Sequence, residues 1–305
     1  MNCKQLKIKD MISNEVKKQI VDALVEQKAN FAGNDTQYAL SLGINKAVWN
    51  RIQKSDFDKV LSEAKWTGLA RRAGISLKAE REWQKADTPV FQFITTQLEK
   101  CQNKSLCSLL CDMSDIGKSF TARYYAKTHK NAIYVDCGQV KSKQKFIRYI
   151  AKEFGVDNTG KYSDVYEDLV FYLKTLDRPI IILDEAGDLQ YEAFLELKAL
   201  YNAVEYQCAF YMTGADGLRA KMERAIDNKK VGYAEIFSRF GKKYGIVVPE
   251  NKEAREAFLS TTAAMIIAAN APSGTNIKKT LLSTMGEDNV PSLRRIYTEF
   301  SKVEG

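Results

Sequence analysis

Histidine is almost absent from this chain. His129 is the only one among 305 residues, and the six cysteines include no C-x-x-C pair. A metal site or catalytic triad built on histidine therefore has almost nothing to use. We interpret the cysteines as reduced core residues, because Cys107, Cys111, Cys137 and Cys208 lie in or beside apolar runs.

Long apolar segments are absent as well. The longest weakly polar run, residues 261–271, is too short to cross a bilayer. Residues 1–7 contain no apolar stretch of the kind that a signal peptide needs. The sequence therefore predicts a cytoplasmic protein with no membrane partner.

The overall balance is that of an ordinary globular protein, with 45% hydrophobic and 28% charged residues. A length of 305 residues allows two domains, or one domain with an appendage. The formal net charge is +8. This favours an anionic partner, and nucleic acid is the most obvious one.

The most informative stretch begins with the apolar run 108–111 and continues into Gly117-Lys118-Ser119, followed by a helical pattern. This order predicts a strand, a phosphate-binding loop and a helix. Lys118 would reach the β- and γ-phosphates of a nucleotide, and the Ser119 hydroxyl would bind Mg²⁺. Asp112 replaces the first glycine of the usual loop, so the motif is weak alone. The predicted nucleotide-binding residues are Ser114, Asp115, Ile116, Gly117, Lys118, Ser119 and Phe120.

A second half-site strengthens this prediction. Residues 179–183 form an apolar run that ends in Asp184 and Glu185, as in a Walker B motif. Asp184 would hold Mg²⁺, and Glu185 would polarise the attacking water. Because both half-sites end strands of one parallel sheet, they would meet at its carboxyl edge. Together they predict a nucleoside triphosphatase core that uses ATP and Mg²⁺.

Further strands are predicted at 132–137, 208–214 and 244–249, with helical patterns between them and after residue 251. The expected fold is an α/β three-layer core with a parallel sheet, followed by an α-helical lid. Thr213 ends the fourth strand. Its hydroxyl either senses the γ-phosphate or positions the attacking water, or it only caps the strand.

The N-terminal part predicts a small all-α domain that contains a helix-turn-helix. Tyr38, Ala39 and Leu42 would form the inner face of the first helix, Gly43 the tight turn, and Trp49 part of the second helix's inner face. The outward residues of the second helix could enter the major groove of DNA, although a plain three-helix bundle remains an alternative. These residues are Asn45, Lys46, Asn50, Arg51 and Lys54.

A second candidate DNA contact is the basic loop that carries Lys141, Lys143 and Lys145. Such a run either forms a solvated surface or follows a phosphate backbone. We expect four segments: a helix-turn-helix domain at 1–72, a linker at 73–89, an α/β nucleotide-binding domain at 90–250 and the lid at 251–305.

Taken together, these motifs resemble the AAA+ superfamily and, within it, the transposition ATPases of the bacteriophage Mu B family. The resemblance implies that Arg239, in the Ser-Arg-Phe sequence 238–240, is an arginine finger for the neighbouring subunit's nucleotide. It also implies that Arg294, or alternatively Arg295, is the sensor-2 arginine of the lid.

Proteins of this family bind ATP, form helical filaments on double-stranded DNA and deliver that DNA to a transposase. Hydrolysis then disassembles the filament. The same residues are compatible with a repressor whose ATPase module is structural or inactive, or with a replication initiator or loader. Because Asp112 and Asp115 depart from the usual loop, a site that binds ATP but hydrolyses it poorly also remains open.

Overall fold

The computed structural model describes residues 12–28, 31, 33–75, 77, 83–272, 274–287 and 289–303. The chain divides into two compact units. The first comprises residues 1–82 and 154–157, and the second comprises 83–153 and 158–305. Part of the expected linker, residues 76 and 78–82, lies outside the described residues.

The first unit contains helices whose ends are fixed by side-chain caps. Asn34 accepts hydrogen bonds from the main chain of residues 36 and 37 in a capping box, and Asn45 caps the next helix by accepting from Val48 N. The helices are α1 (Asn14–Lys28), α2 (Asp35–Ser41), α3 (Lys46–Gln53) and α4 (Glu63–Ala73).

The core of this unit confirms the packing predicted from its sequence. Gly43, with φ of 71°, makes the turn between α2 and α3. Trp49 and Ile52 are fully buried, and the Trp49 ring meets Tyr38 edge-on at 5.3 Å. The Tyr38 hydroxyl donates to the Leu24 carbonyl at 2.6 Å. This hydrogen bond links α2 to α1. Because the buried hydroxyl has an acceptor, it does not carry the free-energy penalty of an unpaired buried polar group.

The second unit is built on a four-stranded parallel sheet in the order β1-β4-β3-β2. β3 is buried along its whole length, as expected for a strand with helices on both faces. The strands are β1 (Cys107–Cys111), β2 (Ala132–Asp136), β3 (Ile180–Asp184) and β4 (Ala209–Gly214). The α/β fold class predicted from the sequence is confirmed.

Helices surround this sheet and continue after it. On one face, Ile94 and Leu98 of α5 and Tyr125 of α6 pack against Ile182 and Tyr211 of the strands. The helices are α5 (Pro89–Lys104), α6 (Lys118–Thr128), α7 (Lys143–Glu153), α8 (Tyr162–Thr175), α9 (Tyr191–Ala203), α10 (Asp216–Asp227), α11 (Tyr233–Arg239), α12 (Lys252–Asn270), α13 (Ile277–Ser283) and α14 (Leu293–Val303).

The last helices form a small core of their own. Ala263 and Ile267 of α12 pack against Ile296 and Phe300 of α14, and Trp83 joins this cluster. Thus the helical C-terminal segment predicted from the sequence is present. Among the described helices, none has both the length and the apolar character to cross a membrane.

The predicted fifth strand at 244–249 is wrong. Gly245 forms only an isolated bridge to β1, with its N–H donating to the Leu109 carbonyl at 2.7 Å. Beyond it, the N–H groups of Val247 and Val248 donate to the carboxylate of Asp112. Because a side chain takes these amides, the segment cannot continue as a strand of the sheet.

The described cysteines are free thiols, as expected. Cys101, Cys111, Cys137 and Cys208 are buried, and Cys107 is partly buried. Burial raises the pKa of the Cys111 thiol to about 12. These side chains are therefore protonated core residues.

Candidate nucleotide-binding site

A cavity of about 440 Å³ lies at the N-terminus of α6, within the second unit. This volume is in the usual range for small-molecule sites. Its walls come from residues 83–91, the loop 114–121, the ends of α12 and α14, and Glu185. All seven residues of the predicted phosphate loop, 114–120, line it, and so does Arg294.

The loop turns into α6 at Gly117, whose φ of 100° lies in the left-handed region that favours glycine. Lys118 follows and is only 6% exposed. Its ammonium donates to the carbonyls of Asp112, at 2.9 Å, and Met113, at 2.6 Å. An ammonium has three N–H groups, so one remains for an anionic ligand.

Charges around Lys118 suit that role. Burial lowers its pKa, and the negative charges of Asp112, Glu185 and Asp184 oppose this effect. The two half-sites of the sequence motif therefore lie close enough to interact. A helix N-terminus with a partly desolvated lysine beside it is a site that favours phosphate.

Asp112 occupies the first glycine position of the usual loop, yet it does not line the cavity. Its carboxylate is 6% exposed and accepts hydrogen bonds from the N–H groups of Met113, Val247 and Val248, at 2.6–3.0 Å. The carboxylate thus ties the end of β1 to the segment 247–248. Its negative charge is directed at main-chain amides. Repulsion between this carboxylate and a bound phosphate is therefore less of an obstacle to a phosphate site here.

Asp115 has a different set of partners. Its φ of 60° is a left-handed value that aspartate tolerates better than most residues. One carboxylate oxygen accepts a hydrogen bond from the Ser292 hydroxyl at 2.7 Å, and the other lies 3.9 Å from Arg294 Nε. Asp115 therefore links the phosphate loop to the start of α14.

The choice between the two lid arginines has a geometric answer. Arg294 lines the cavity, whereas the Arg295 guanidinium donates to the Met285 carbonyl at 2.6 Å. Arg294 is therefore the residue placed to contact a bound ligand. Its role as sensor 2 stays a prediction.

Asp184 lies at the end of β3 and is 2% exposed. One oxygen accepts from Glu185 N at 3.1 Å, and the other accepts from the Tyr134 hydroxyl at 2.7 Å. Asp184 does not line the cavity, but its charge acts on Lys118, which precedes Ser119 in the chain. A carboxylate and a hydroxyl are the hard oxygen ligands that Mg²⁺ prefers. Each carboxylate oxygen keeps a second lone pair, so the donor set fits this ion.

Glu185 reaches the cavity from an uncommon backbone conformation, with φ of 50°. Strained positions of this kind are frequent where a side chain must face a ligand. Burial raises the pKa of Glu185, as does the neighbouring charge of Asp184, while Lys118 lowers it. The carboxylate is thus a stronger base than an ordinary glutamate.

Two further predicted residues lie outside the cavity. Thr213 is 1% exposed on β4, and its hydroxyl has no hydrogen-bond partner among the described residues. Arg239 ends α11, with its guanidinium 5.3 Å from the ring centre of Tyr201. Arg239 therefore does not reach the cavity of its own chain.

Sequence reasoning missed the aromatic end of the cavity. Trp83 stacks on Tyr297 with ring centres 5.8 Å apart, and Phe91 lines the same space. The Asn270 amide pairs with the main chain of Gln84 and fixes this segment. These residues are far apart in sequence, so no local pattern could have found them. Flat apolar walls of this kind suit a nucleobase.

The candidate DNA contacts on α3 lie on its exposed side. Lys46, Asn50 and Lys54 are exposed, while Asn45 is exposed and also caps the helix. Arg51 is held by an ion pair to Asp56 at 2.7 Å. Four of the five side chains thus carry no ion pair among the described residues.

The basic segment with Lys141, Lys143 and Lys145 differs from α3 in its ion pairs. Its last two lysines lie in the first turn of α7. Lys141 pairs with Asp188 at 2.9 Å, and Lys143 pairs with Glu196 at 2.9 Å. Lys145 is exposed. Two of the three lysines predicted to contact DNA are therefore partly neutralised by neighbouring carboxylates.

Residues 102–222 match the AAA domain family, which covers the phosphate loop and the strand that carries Asp184. Together with the parallel sheet, this match defines a nucleotide-binding domain of the AAA class. The chain is also 24% identical, over 240 residues, to the Mu-like prophage FluMu DNA transposition protein B of Haemophilus influenzae. The aligned region covers 76% of this chain and 79% of that protein.

These two matches confirm the resemblance to Mu B-like AAA ATPases that was seen in the sequence. A solved structure of the Aeropyrum pernix ORC1 protein in complex with DNA also matches, at 17% identity and a TM-score of 0.45. That match covers 73% of this chain and 67% of the other.

Proposed function

We propose that this protein binds ATP and Mg²⁺ in the cavity, assembles in that state on double-stranded DNA, and delivers the DNA to a transposase. Hydrolysis of ATP then releases the assembly. One observation carries the proposal: Lys118 and Glu185 line the same nucleotide-sized cavity, and the negative charges of Glu185 and Asp184 oppose the lowering of the Lys118 pKa by burial. The similarity to a DNA transposition protein supplies the biological setting.

The chemistry divides among named residues. Lys118 and the loop amides neutralise the β- and γ-phosphates, and Arg294 contacts them from the lid. Ser119 and Asp184 would hold Mg²⁺, which would supply stabilisation of the negative charge on the phosphates. Glu185 accepts a proton from the attacking water, helped by its raised pKa.

We assign a role in assembly to Arg239. This residue does not line the cavity of its own chain, which is compatible with a contact to the nucleotide of a neighbouring subunit. A guanidinium supplied in trans stabilises charge only in the assembled state, which couples ATP to oligomer formation. Thr213, whose hydroxyl has no hydrogen-bond partner in the described part of the chain, is assigned to the water or the γ-phosphate.

DNA binding is assigned to two surfaces. The first is the α3 surface with Lys46, Asn50 and Lys54, and the second is the first turn of α7 with Lys145. The net charge of +8 supports phosphate contacts that do not depend on base sequence. The division into a DNA-binding domain (1–72), linker (73–89), ATPase domain (90–250) and lid (251–305) belongs to the same proposal.

The experiment is a DNA-binding titration with ATP, ADP or no nucleotide, on duplexes of unrelated sequence. We expect tight binding with ATP only and little preference between duplexes. Lys118→Ala should lose the ATP effect. Binding that is indifferent to nucleotide would overturn the proposal, and a single preferred operator would favour a repressor instead.

A mixing experiment tests the shared site. Arg239→Ala should bind ATP normally as a monomer but fail to hydrolyse it, and Glu185→Gln should fail for lack of the base. Mixed together, Arg239→Ala subunits supply the base and Glu185→Gln subunits supply the guanidinium, so turnover should partly return. Turnover by Arg239→Ala alone would show that the finger is elsewhere.

A further inference from the structure

A tyrosine from the neighbouring strand holds the carboxylate of Asp184. Tyr134 lies on β2, which pairs with β3, and its hydroxyl donates to Asp184 Oδ2 at 2.7 Å. The other oxygen of Asp184 accepts from Glu185 N at 3.1 Å. Both oxygens of a carboxylate that is 2% exposed are thus fixed in place. Two hydrogen bonds, one from β2 and one from the residue after β3, therefore set the rotation of this side chain.

Tyr134 is itself held from α6. The Arg123 guanidinium donates to the Tyr134 hydroxyl at 3.3 Å and lies 5.0 Å from the centre of its ring. The Tyr134 hydroxyl therefore accepts a hydrogen bond from Arg123 and donates one to Asp184, so the three side chains form a chain of hydrogen bonds that runs from Arg123 to Asp184. A guanidinium over the face of a ring adds a cation–π contact that fixes the tyrosine further. Arg123 also lines the cavity.

The hydrogen bond from Tyr134 to Asp184 joins a phenol donor to a carboxylate acceptor. A charge-assisted hydrogen bond to a buried carboxylate is stronger than one between neutral groups.

We propose that Tyr134 is a positioning residue for the Mg²⁺ site, which orients Asp184 towards the ion and is itself oriented by Arg123. The inference rests on the proposed function, in that Asp184 holds Mg²⁺ there. Residues that orient metal ligands from behind commonly change metal affinity by 10- to 100-fold when they are removed. Without its hydroxyl, Asp184 keeps only the Glu185 N–H and is free to rotate.

The test measures Mg²⁺ binding and not turnover. A fluorescent ATP analogue is bound to Tyr134→Phe, and the complex is titrated with Mg²⁺. We expect the half-saturating Mg²⁺ concentration to rise about tenfold. Affinity for the analogue in EDTA should be unchanged, because the hydroxyl is bound to Asp184 and is not a phosphate ligand.

The matched control is Tyr125→Phe. Its hydroxyl donates to Gln102 Oε1 at 2.7 Å, in the same unit but without contact to Asp184. This change removes the same atom and a buried hydrogen bond of the same length. It should lower the melting temperature and leave the Mg²⁺ titration at the wild-type position.

Arg123 supplies a second arm. Arg123→Met should raise the half-saturating Mg²⁺ concentration, and Arg123→Lys should restore part of the loss by keeping a donor and a charge. Since Arg123 acts through Tyr134, the double variant Arg123→Met with Tyr134→Phe should need no more Mg²⁺ than Tyr134→Phe alone. If the increases in half-saturating Mg²⁺ concentration of the two single variants add in the double variant, Arg123 does not act through Tyr134.

The outcomes separate this inference from the proposed function. A Tyr134→Phe protein that melts normally and titrates like wild type would overturn the positioning role. So would a shift that the Tyr125→Phe control shares, because the effect would then be general destabilisation. If wild-type nucleotide binding does not respond to Mg²⁺ at all, the proposed metal site itself is wrong.

Discussion

On the outer side of α3, Lys46 and Asn50 are exposed to solvent, whereas at the carboxyl end of the sheet Lys118, Asp112 and Asp184 are buried and bound to the protein. The first region keeps its polar groups available to a partner from solution. The second holds its charges in place before any ligand arrives. Changes in the first region should therefore act on DNA affinity, and changes in the second on nucleotide chemistry.

The largest effect is expected at Glu185. Glu185→Gln removes the base and should lower ATP turnover by roughly 100-fold or more, with nucleotide binding retained. DNA complexes formed with ATP should then persist. Steady-state turnover and DNA retention measure both effects. Turnover within about threefold of wild type would show that Glu185 is not the base.

The pH dependence of turnover sharpens the same point. Because the pKa of Glu185 is raised, its carboxylate becomes protonated at a higher pH than that of an ordinary glutamate. Turnover should therefore fall on acidification, with an apparent pKa above 4.5, the ordinary value. A pH–rate profile of wild type locates this limb. A flat profile through mildly acidic pH would contradict the assignment.

A smaller effect is expected from the first region. Lys46→Ala should weaken DNA binding severalfold, up to about tenfold, and reduce the slope of log K against log salt by about 0.9. DNA-independent turnover should not change. Lys18→Ala, on the exposed side of α1, removes the same charge from the same unit and is the control. Equal losses for both variants would indicate a general charge effect and would break the comparison.

Substitutions of the two lysines Lys141 and Lys145 should weaken DNA binding to different extents. Lys145 is exposed, while Lys141 is paired with Asp188. We therefore expect Lys145→Ala to weaken DNA binding by about two- to fivefold, and Lys141→Ala to do less. Affinity measured at two salt concentrations tests this order. A larger loss for Lys141 would mean that its ion pair opens on DNA.

A gain in nucleotide affinity, instead of a loss of DNA binding, is expected at Asp115. Asp115→Asn removes a negative charge near the phosphates and loosens Arg294, so ATP affinity should rise about three- to tenfold in low salt. In an Arg294→Ala background the gain should be smaller, because part of it depends on that arginine. Calorimetry of the two single variants and the double variant measures this coupling. An equal gain in both backgrounds would reduce Asp115 to simple repulsion.

Local patterns predicted much of this molecule. The inner residues of α2 and α3 follow helical spacing, and the four strands of the sheet are apolar runs with clear ends. These local patterns were sufficient to predict those helices and strands. The phosphate loop and Asp184 were found because their residue types are required by the chemistry at fixed spacing. Each of these signals lies within about 20 residues.

The rest depends on partners that are distant in the sequence. The fifth strand was mispredicted because Asp112, 135 residues before Val247, takes the amide that a strand would need. Tyr134 is 50 residues from Asp184, and Ser292 is 177 residues from Asp115. No window of sequence contains both members of such pairs. From the sequence alone, Asp112 and Asp115 therefore look unfavourable for a phosphate loop. The fold shows that both carboxylates have hydrogen-bond partners.

Direct binding of ATP to the free protein is the most decisive measurement. Titration of wild type and Lys118→Ala with ATP and Mg²⁺, in the absence of DNA, asks whether this cavity is the nucleotide site. The account predicts saturable binding by wild type and a loss of roughly 100-fold in the variant, with the fold retained by circular dichroism. Equal affinities for the two proteins would contradict it.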